Sequence, residues 1–151
     1  MPLTPVIVVL NNVRSLHNVG AIFRSADAIN AEKIILGGLT PVPPRHEIEK
    51  TALGATETVP WEYCKDIIPE LQRLKAEGYF LYALEQTDTA ENIFETELEK
   101  PAVLVVGHER EGVEKDVLTI CDFHLMIPML GKSAKSLNVS TATTVALFQF
   151  A

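Results

Sequence analysis

Apolar residues in this chain fall into short, β-branched runs separated by stretches with helical spacing. Val6 to Leu10, Lys33 to Leu36, Tyr79 to Leu84, Ala102 to Val106 and Phe123 to Ile127 read as strands, and Val19 to Ile29 reads as a helix. The strand runs are apolar at consecutive rather than alternate positions, the pattern of strands covered on both faces. Strands alternating with helices then predict the α/β class, a mostly parallel sheet flanked by helices. From about Asp66 to Glu77, Ile67, Ile68, Leu71 and Leu74 recur at helical spacing; Pro69 falls in the first turn, where its missing N–H costs little, and Gly78 supplies the stop. Gly37 to Arg45 carries two glycines and three prolines, which predicts an exposed loop. The last segment, Ser140 to Ala151, is apolar on more than one face through Val145, Ala146, Leu147, Phe148 and Phe150. A helix of that kind needs cover on both sides, from its own core or from a second subunit.

A length of 151 residues suits one domain, and a hydrophobic fraction of 47% is enough apolar mass to offset the entropy of ordering it. No repeat, low-complexity tract or boundary interrupts the chain, so residues 1–151 read as a single domain. The longest apolar runs are strand-sized, far below the ~20 residues of a membrane span. Met1 to Pro5 lack the basic n-region and cleavage site of a signal peptide, which predicts a cytoplasmic protein. In that compartment disulfides are not expected, and Cys64 and Cys121, without C-x-x-C spacing, read as packed thiols. Asn138-Val139-Ser140 fits the glycosylation pattern but carries no such meaning inside a cell.

A net charge of -7 argues at first against a nucleic-acid partner. The distribution answers this: acidic residues crowd between Glu85 and Asp116, whereas Arg14, His17, Arg24, Arg45, His46, Lys132 and Lys135 fall in or beside three polar loops.

Each of those loops follows a predicted strand, and doubly wound sheets bind ligands at the carboxyl ends of their strands. The first runs from Asn11 to Ser25. Asn18 is placed to cap the following helix, which alone would explain it. Arg24 stands among Ile22, Phe23, Ala26 and Ala28, so its guanidinium needs an anionic partner; a salt bridge or solvent serves, as does a phosphate, which its planar fork matches best. The second loop, Gly107-His108-Glu109-Arg110-Glu111-Gly112, reads equally as a tight strand-to-helix turn or as backbone approached closely by a ligand, with Glu109 between the glycines. The third runs from Pro128 to Ser140. Its Gly131-Lys132-Ser133 imitates the end of a phosphate-binding P-loop, but the first glycine that motif requires would fall at Met126, inside a strand. The G-x-G-x-x-G dinucleotide fingerprint is absent as well. His17, His46, His108 and His124 show no H-E-x-x-H pairing, which argues against a metal-dependent hydrolase.

In this order the three loops resemble the three motifs of the SpoU (TrmH-like) family of RNA ribose methyltransferases, in the SPOUT class. Asn18, Gly20 and Arg24 match the first motif; Gly107, Glu109 and Gly112 match the second; Ile127, Pro128 and Met129, then Ser136 to Ser140, match the third. The likeness extends over nearly the whole chain, including Lys50 to Ala55 and Val59-Pro60-Trp61. It implies a trefoil knot in the C-terminal half, which general rules of chain topology would never suggest. It also implies a homodimer whose active site draws on both subunits.

By the same resemblance, S-adenosylmethionine is held by backbone around Val106, Gly107, Ile127, Met129 and Leu137. Its methyl group faces Arg24 of the other subunit, and no metal takes part. Arg24 positions and polarises the ribose hydroxyl, while Asn18, Glu109, Ser136 and Asn138 orient the groups around it. The interval from Gly131 to Ser136 is one residue longer than the family pattern. The substrate implied is RNA, with tRNA ahead of rRNA because a minimal domain must recognise its target with its own loops. The competing expectation is a catalytically idle RNA- or nucleotide-binding dimer of the same fold.

Overall fold

The computed structural model describes residues 2–151. Seven strands form one sheet: β1 (Thr4–Asn11), β2 (Ala31–Gly37), β3 (Trp61–Cys64), β4 (Phe80–Leu84), β5 (Glu91–Asn92), β6 (Ala102–Gly107) and β7 (Phe123–Met126), in the order β3-β2-β1-β6-β4-β7-β5. Every pairing is parallel. Six helices cover it: α1 (Leu16–Ala28), α2 (His46–Ala52), α3 (Ala55–Thr58), α4 (Ile67–Ala76), α5 (Lys115–Ile120) and α6 (Val139–Phe150). Among the described residues no helix is long and apolar enough to cross a membrane.

The continuous apolar strands are explained by two cores, one on each face. Val6, Val8 and Leu10 of β1 pack with Val19, Ile22 and Phe23 of α1, Ile48 of α2 and Leu147 of α6. Ile7 and Val9 point the other way, against Ile67, Leu71 and Leu74 of α4 and Val117 of α5. Each such buried side chain contributes roughly 1.5–3 kcal/mol relative to exposure. The predicted α4 helix stands: Asp66 caps it, its side chain accepting from the Ile68 N–H at 3.2 Å, and Gly78 follows its end with φ +100°.

Two sequence expectations are corrected. The first helix begins at Leu16, not Val19, because Ser15 caps it: the Ser15 hydroxyl oxygen accepts from the Asn18 N–H at 3.2 Å. Asn18 is therefore inside the first turn, and its side chain is free for another partner. Secondly, the Gly37–Arg45 stretch is not wholly exposed. Gly37 ends β2, and Thr40 is buried, accepting from the Val13 N–H at 3.0 Å and donating to the Leu10 carbonyl at 3.1 Å. The last helix keeps its two apolar faces: α6 buries one through Ser140, Thr143, Ala146, Leu147 and Phe150 and leaves Phe148 54% exposed on another.

α1 and α2 cross at Gly20, where an added Cβ would overlap the Thr51 hydroxyl and the Ile48 carbonyl oxygen. Thr51 in turn donates to the His17 carbonyl at 2.9 Å. The glycine thus sets how closely α2 seats against the helix that carries Arg24.

Candidate active site

The chain leaves β1 towards β2 on one side of the sheet, while β6 pairs with β1 on the other, with Leu10 opposite Val106 and Asn11 opposite Gly107. Carboxyl ends near such a switch leave a crevice that neither connection fills. The cleft lies beside that switch, beyond β6, β4 and β7: about 240 Å³ lined by Val106 and Gly107, by Leu84 to Gln86, by Leu125 to Ile127, and by Met129, Ser136 and Leu137. That is just below the ~300–1,000 Å³ usual for small-molecule sites.

The loop after β6 is a closed turn. His108 and Gly112 exchange backbone hydrogen bonds at 3.1 and 2.9 Å, and His108 Nδ1 accepts from the N–H groups of Arg110 and Glu111. A Cβ on Gly107 would overlap the backbone of Gly112 and Val113, so only glycine lets the strand end this close to its own turn. The tight-turn reading holds, and the turn also forms a wall of the cleft.

Glu109 projects from this turn to the start of α1. Its carboxylate accepts from the N–H groups of Arg14 and Ser15 at 3.1 and 3.0 Å and from Asn18 Nδ2 at 3.1 Å. Partial burial pushes its pKa up, but the Ser15, Asn18 and Arg14 donors outweigh that, and the net shift is below the ordinary value of 4.5. A carboxylate so placed also suits the positive end of the helix dipole.

Asn11 and Asn12 are structural clamps. Asn11, 1% exposed, donates to Glu114 Oε1 at 2.8 Å and accepts from the Glu114 N–H at 2.9 Å. Asn12 accepts from the Leu39 N–H at 2.8 Å. These bonds gather the loops after β1, β2 and β6 at one end of the sheet.

The third loop behaves differently. Among the described residues, none from Pro128 to Leu137 makes a hydrogen bond, and Leu130 is 91% exposed. Its donors and acceptors face water or whatever enters the cleft. Asn138 ends this freedom: its side-chain oxygen accepts from the Ser140 N–H at 2.9 Å and the Ser140 hydroxyl at 2.6 Å, capping α6. Ser136 lies at the rim, exposed.

Arg24 lies outside the cleft lining, exposed, with no hydrogen bond or ion pair among the described residues. The sequence expectation of an anionic partner is not met within the chain. Ile22, Phe23 and Ala26 are its neighbours in sequence but lie on the buried face of α1, whereas Arg24 shares a solvent face with His17 and Ala28.

The structure therefore brings Val106, Gly107, Glu109, Ile127, Met129, Ser136 and Leu137 around one cleft. Asn18 joins it through Glu109, Asn138 stands at its border as a cap, and Arg24 is apart. Glu85 and Gln86, on the cleft wall past β4, were missed; their position directly after the apolar run Leu81–Leu84 was the available signal. No group of His, Cys, Asp and Glu among the described residues could hold a metal ion.

Comparison with known proteins agrees with this geometry. The sequence profile of the SpoU rRNA Methylase family matches residues 5–148. The chain is 35% identical over 150 residues to the 23S rRNA (guanosine-2'-O-)-methyltransferase RlmB of Pseudomonas putida, covering 96% of this chain and 58% of that protein. It is 36% identical over 146 residues to RlmB of Ralstonia nicotianae, covering 96% of this chain and 57% of the relative. It thus spans somewhat more than half the length of these curated relatives. Among solved structures, the A. aeolicus TrmH/SpoU tRNA modifying enzyme superposes with a TM-score of 0.86 at 31% identity, over 97% of this chain and 74% of that one. The AdoMet-bound rRNA methyltransferase from Sinorhizobium meliloti gives 0.86 at 28% identity, over 96% of this chain and 55% of that one.

Proposed function

The chain belongs to the SpoU rRNA methylase family, and from that premise we propose that it is an RNA 2'-O-ribose methyltransferase that uses S-adenosylmethionine and works as a homodimer. The observation that carries the reading is the cleft at the ends of β6, β4 and β7, closed on one side by a loop whose backbone is unbonded from Pro128 to Leu137. The knotted path that the family implies is part of the same reading.

The residues suit an adenosyl cofactor. Leu84, Leu125, Ile127 and Val139 offer apolar walls for a purine, and the unbonded loop offers backbone donors and acceptors for its edges. Two carboxylates, Glu85 and Glu109, belong to the lining, which favours a cationic ligand over a phosphorylated one. When bound, S-adenosylmethionine supplies an electrophilic methyl group on a sulfonium. Val106, Gly107, Ile127, Met129 and Leu137 hold it in place, and Ser136 at the rim orients the incoming ribose.

Arg24 acts from the solvent face of α1, so it serves the cleft of a second subunit rather than its own. Exposure of Phe148 on α6, which packs on α1 through the Ser25 and Thr144 hydroxyls at 2.5 Å, supports an interface there. A guanidinium is a poor base, so Arg24 polarises the ribose hydroxyl and holds an adjacent phosphate, and Glu109 and Asn18 keep its helix seated. Together these residues would hold and orient the hydroxyl for methyl transfer, which needs an approach of about 3.5 Å between the reacting atoms.

RlmB of Pseudomonas putida and RlmB of Ralstonia nicotianae are named for a guanosine of 23S rRNA, which favours an rRNA guanosine over tRNA as the substrate. Incubation with labelled S-adenosylmethionine and either total rRNA or total tRNA tests the reading. The expected product carries label on ribose, read as resistance to alkaline cleavage at that nucleotide. Arg24→Ala is expected to lower transfer at least about 100-fold with cofactor affinity unchanged. Cofactor binding without transfer to either RNA would leave the idle dimer instead.

A further inference from the structure

We propose that Glu85 receives the vicinal hydroxyls of the ribose in the adenosyl ligand of this cleft, an assignment that rests on the reading of the cleft as an S-adenosylmethionine site. In the sheet β4 lies between β6 and β7, so the first residue beyond it enters the cleft at its centre. The Glu85 N–H donates to the Leu125 carbonyl at 3.0 Å, which anchors the backbone, and the side chain lines the cleft.

The carboxylate is held at one end. Oε1 accepts from the Val113 N–H at 2.9 Å, and Gly112, with φ +74°, leaves it room: a Cβ there would overlap both carboxylate oxygens. Oε2 has no hydrogen-bond donor, and no cation pairs with Glu85 among the described residues. A half-buried, oriented acceptor of this kind selects ligand groups that donate, because a hydrogen bond to an ionised acceptor is about twice as strong as a neutral one. It repels a phosphate. Within an adenosyl ligand the paired donors are the 2' and 3' hydroxyls, and the apolar neighbours Leu84 and Leu125 flank this point where the base would continue. A carboxylate pinned by a backbone N–H also loses little side-chain entropy when the ligand arrives.

Calorimetry with S-adenosylhomocysteine and its 2'-deoxy and 3'-deoxy analogues, on the wild type and on Glu85→Gln, tests this. Glutamine keeps an oxygen for the Val113 N–H, so an unchanged melting temperature is expected. S-adenosylhomocysteine should bind the variant roughly tenfold more weakly. Each deoxy analogue should lose a similar factor on the wild type and almost nothing further on the variant. Losses that multiply independently would overturn the assignment. Should Glu85→Gln not fold, the wild type alone decides, since equal affinity for the ribo and deoxy forms also overturns it. A wild type that binds no S-adenosylhomocysteine removes the cofactor reading itself and Glu85's role with it, an outcome distinct from binding that ignores the hydroxyls.

Discussion

Asn18 Nδ2 donates to Glu109 Oε2 at 3.1 Å, joining the helix that carries Arg24 to the turn that walls the cleft. The same carboxylate holds the Arg14 and Ser15 N–H groups, so one side chain from the turn after β6, 91 residues beyond Asn18, completes the cap of α1. Glu109→Ala leaves three donors without it and should lower stability by about 1–2 kcal/mol in urea unfolding, the range of a lost helix cap. Asn18→Ala removes one of the three and should cost less. Equal stability of Glu109→Ala and the wild type would show the contact to be idle.

The acid limb of stability should carry Glu109's signature. Its folded pKa lies below the ordinary 4.5, so its contribution is complete above that value and is lost as pH falls through the lower folded pKa. Glu109→Gln cannot titrate there. The variant should therefore show a smaller fall in melting temperature between about pH 5 and pH 3 than the wild type; parallel curves would contradict the assignment.

Gly20→Ala should destabilise by about 1–3 kcal/mol although alanine is the better helix former by about 1 kcal/mol. The added Cβ overlaps Thr51 and the Ile48 carbonyl, so α1 and α2 must separate. Thermal unfolding of the variant reads this directly, and an increase in melting temperature would refute the close crossing.

Both thiols should be sluggish at pH 8. Burial, helped by Asp122 and opposed by Lys75, pushes Cys121 up to about 12. Burial and Glu70 also raise Cys64, opposed by a hydrogen bond with the Asp66 backbone. Native protein should react with a disulfide reagent far more slowly than urea-unfolded protein, because the thiolate is the reacting form. Fast labelling of Cys121 in the native state would contradict its burial.

The strands and the α/β class were legible because burial on both faces leaves a continuous apolar run, as at Val6–Leu10 and Ala102–Val106. β3 was not, since Trp61, Glu62, Tyr63 and Cys64 at the sheet edge are none of them buried. β5 is two polar residues, held only by its register with Leu125 and Met126. The helices α2, α3 and α5, of four to seven residues, are too short for periodicity to show. Neighbour relations in the sheet were also invisible, because the β1–β6 pair joins residues nearly a hundred positions apart.

At the site, residue types at fixed spacing pointed to three loops, and Val106, Gly107, Ile127, Met129 and Leu137 do meet around one cleft. Roles were harder. Asn18 was mistaken for a cap because Ser15, three residues earlier, was overlooked as the better one. Arg24 was judged by its sequence neighbours rather than by its helix face. Glu85 stood outside every motif, and only the sheet order puts it between the second and third loops.

Amide chemical shifts recorded while S-adenosylmethionine is added test the central claim most directly. The account predicts saturable shifts at Val106, Gly107, Ile127, Met129 and Leu137. It predicts none at Asn12, Leu39 and Asp116, which line the separate cleft on the far side of the sheet ends. Shifts confined to that second cleft, or none anywhere at millimolar ligand, would contradict it.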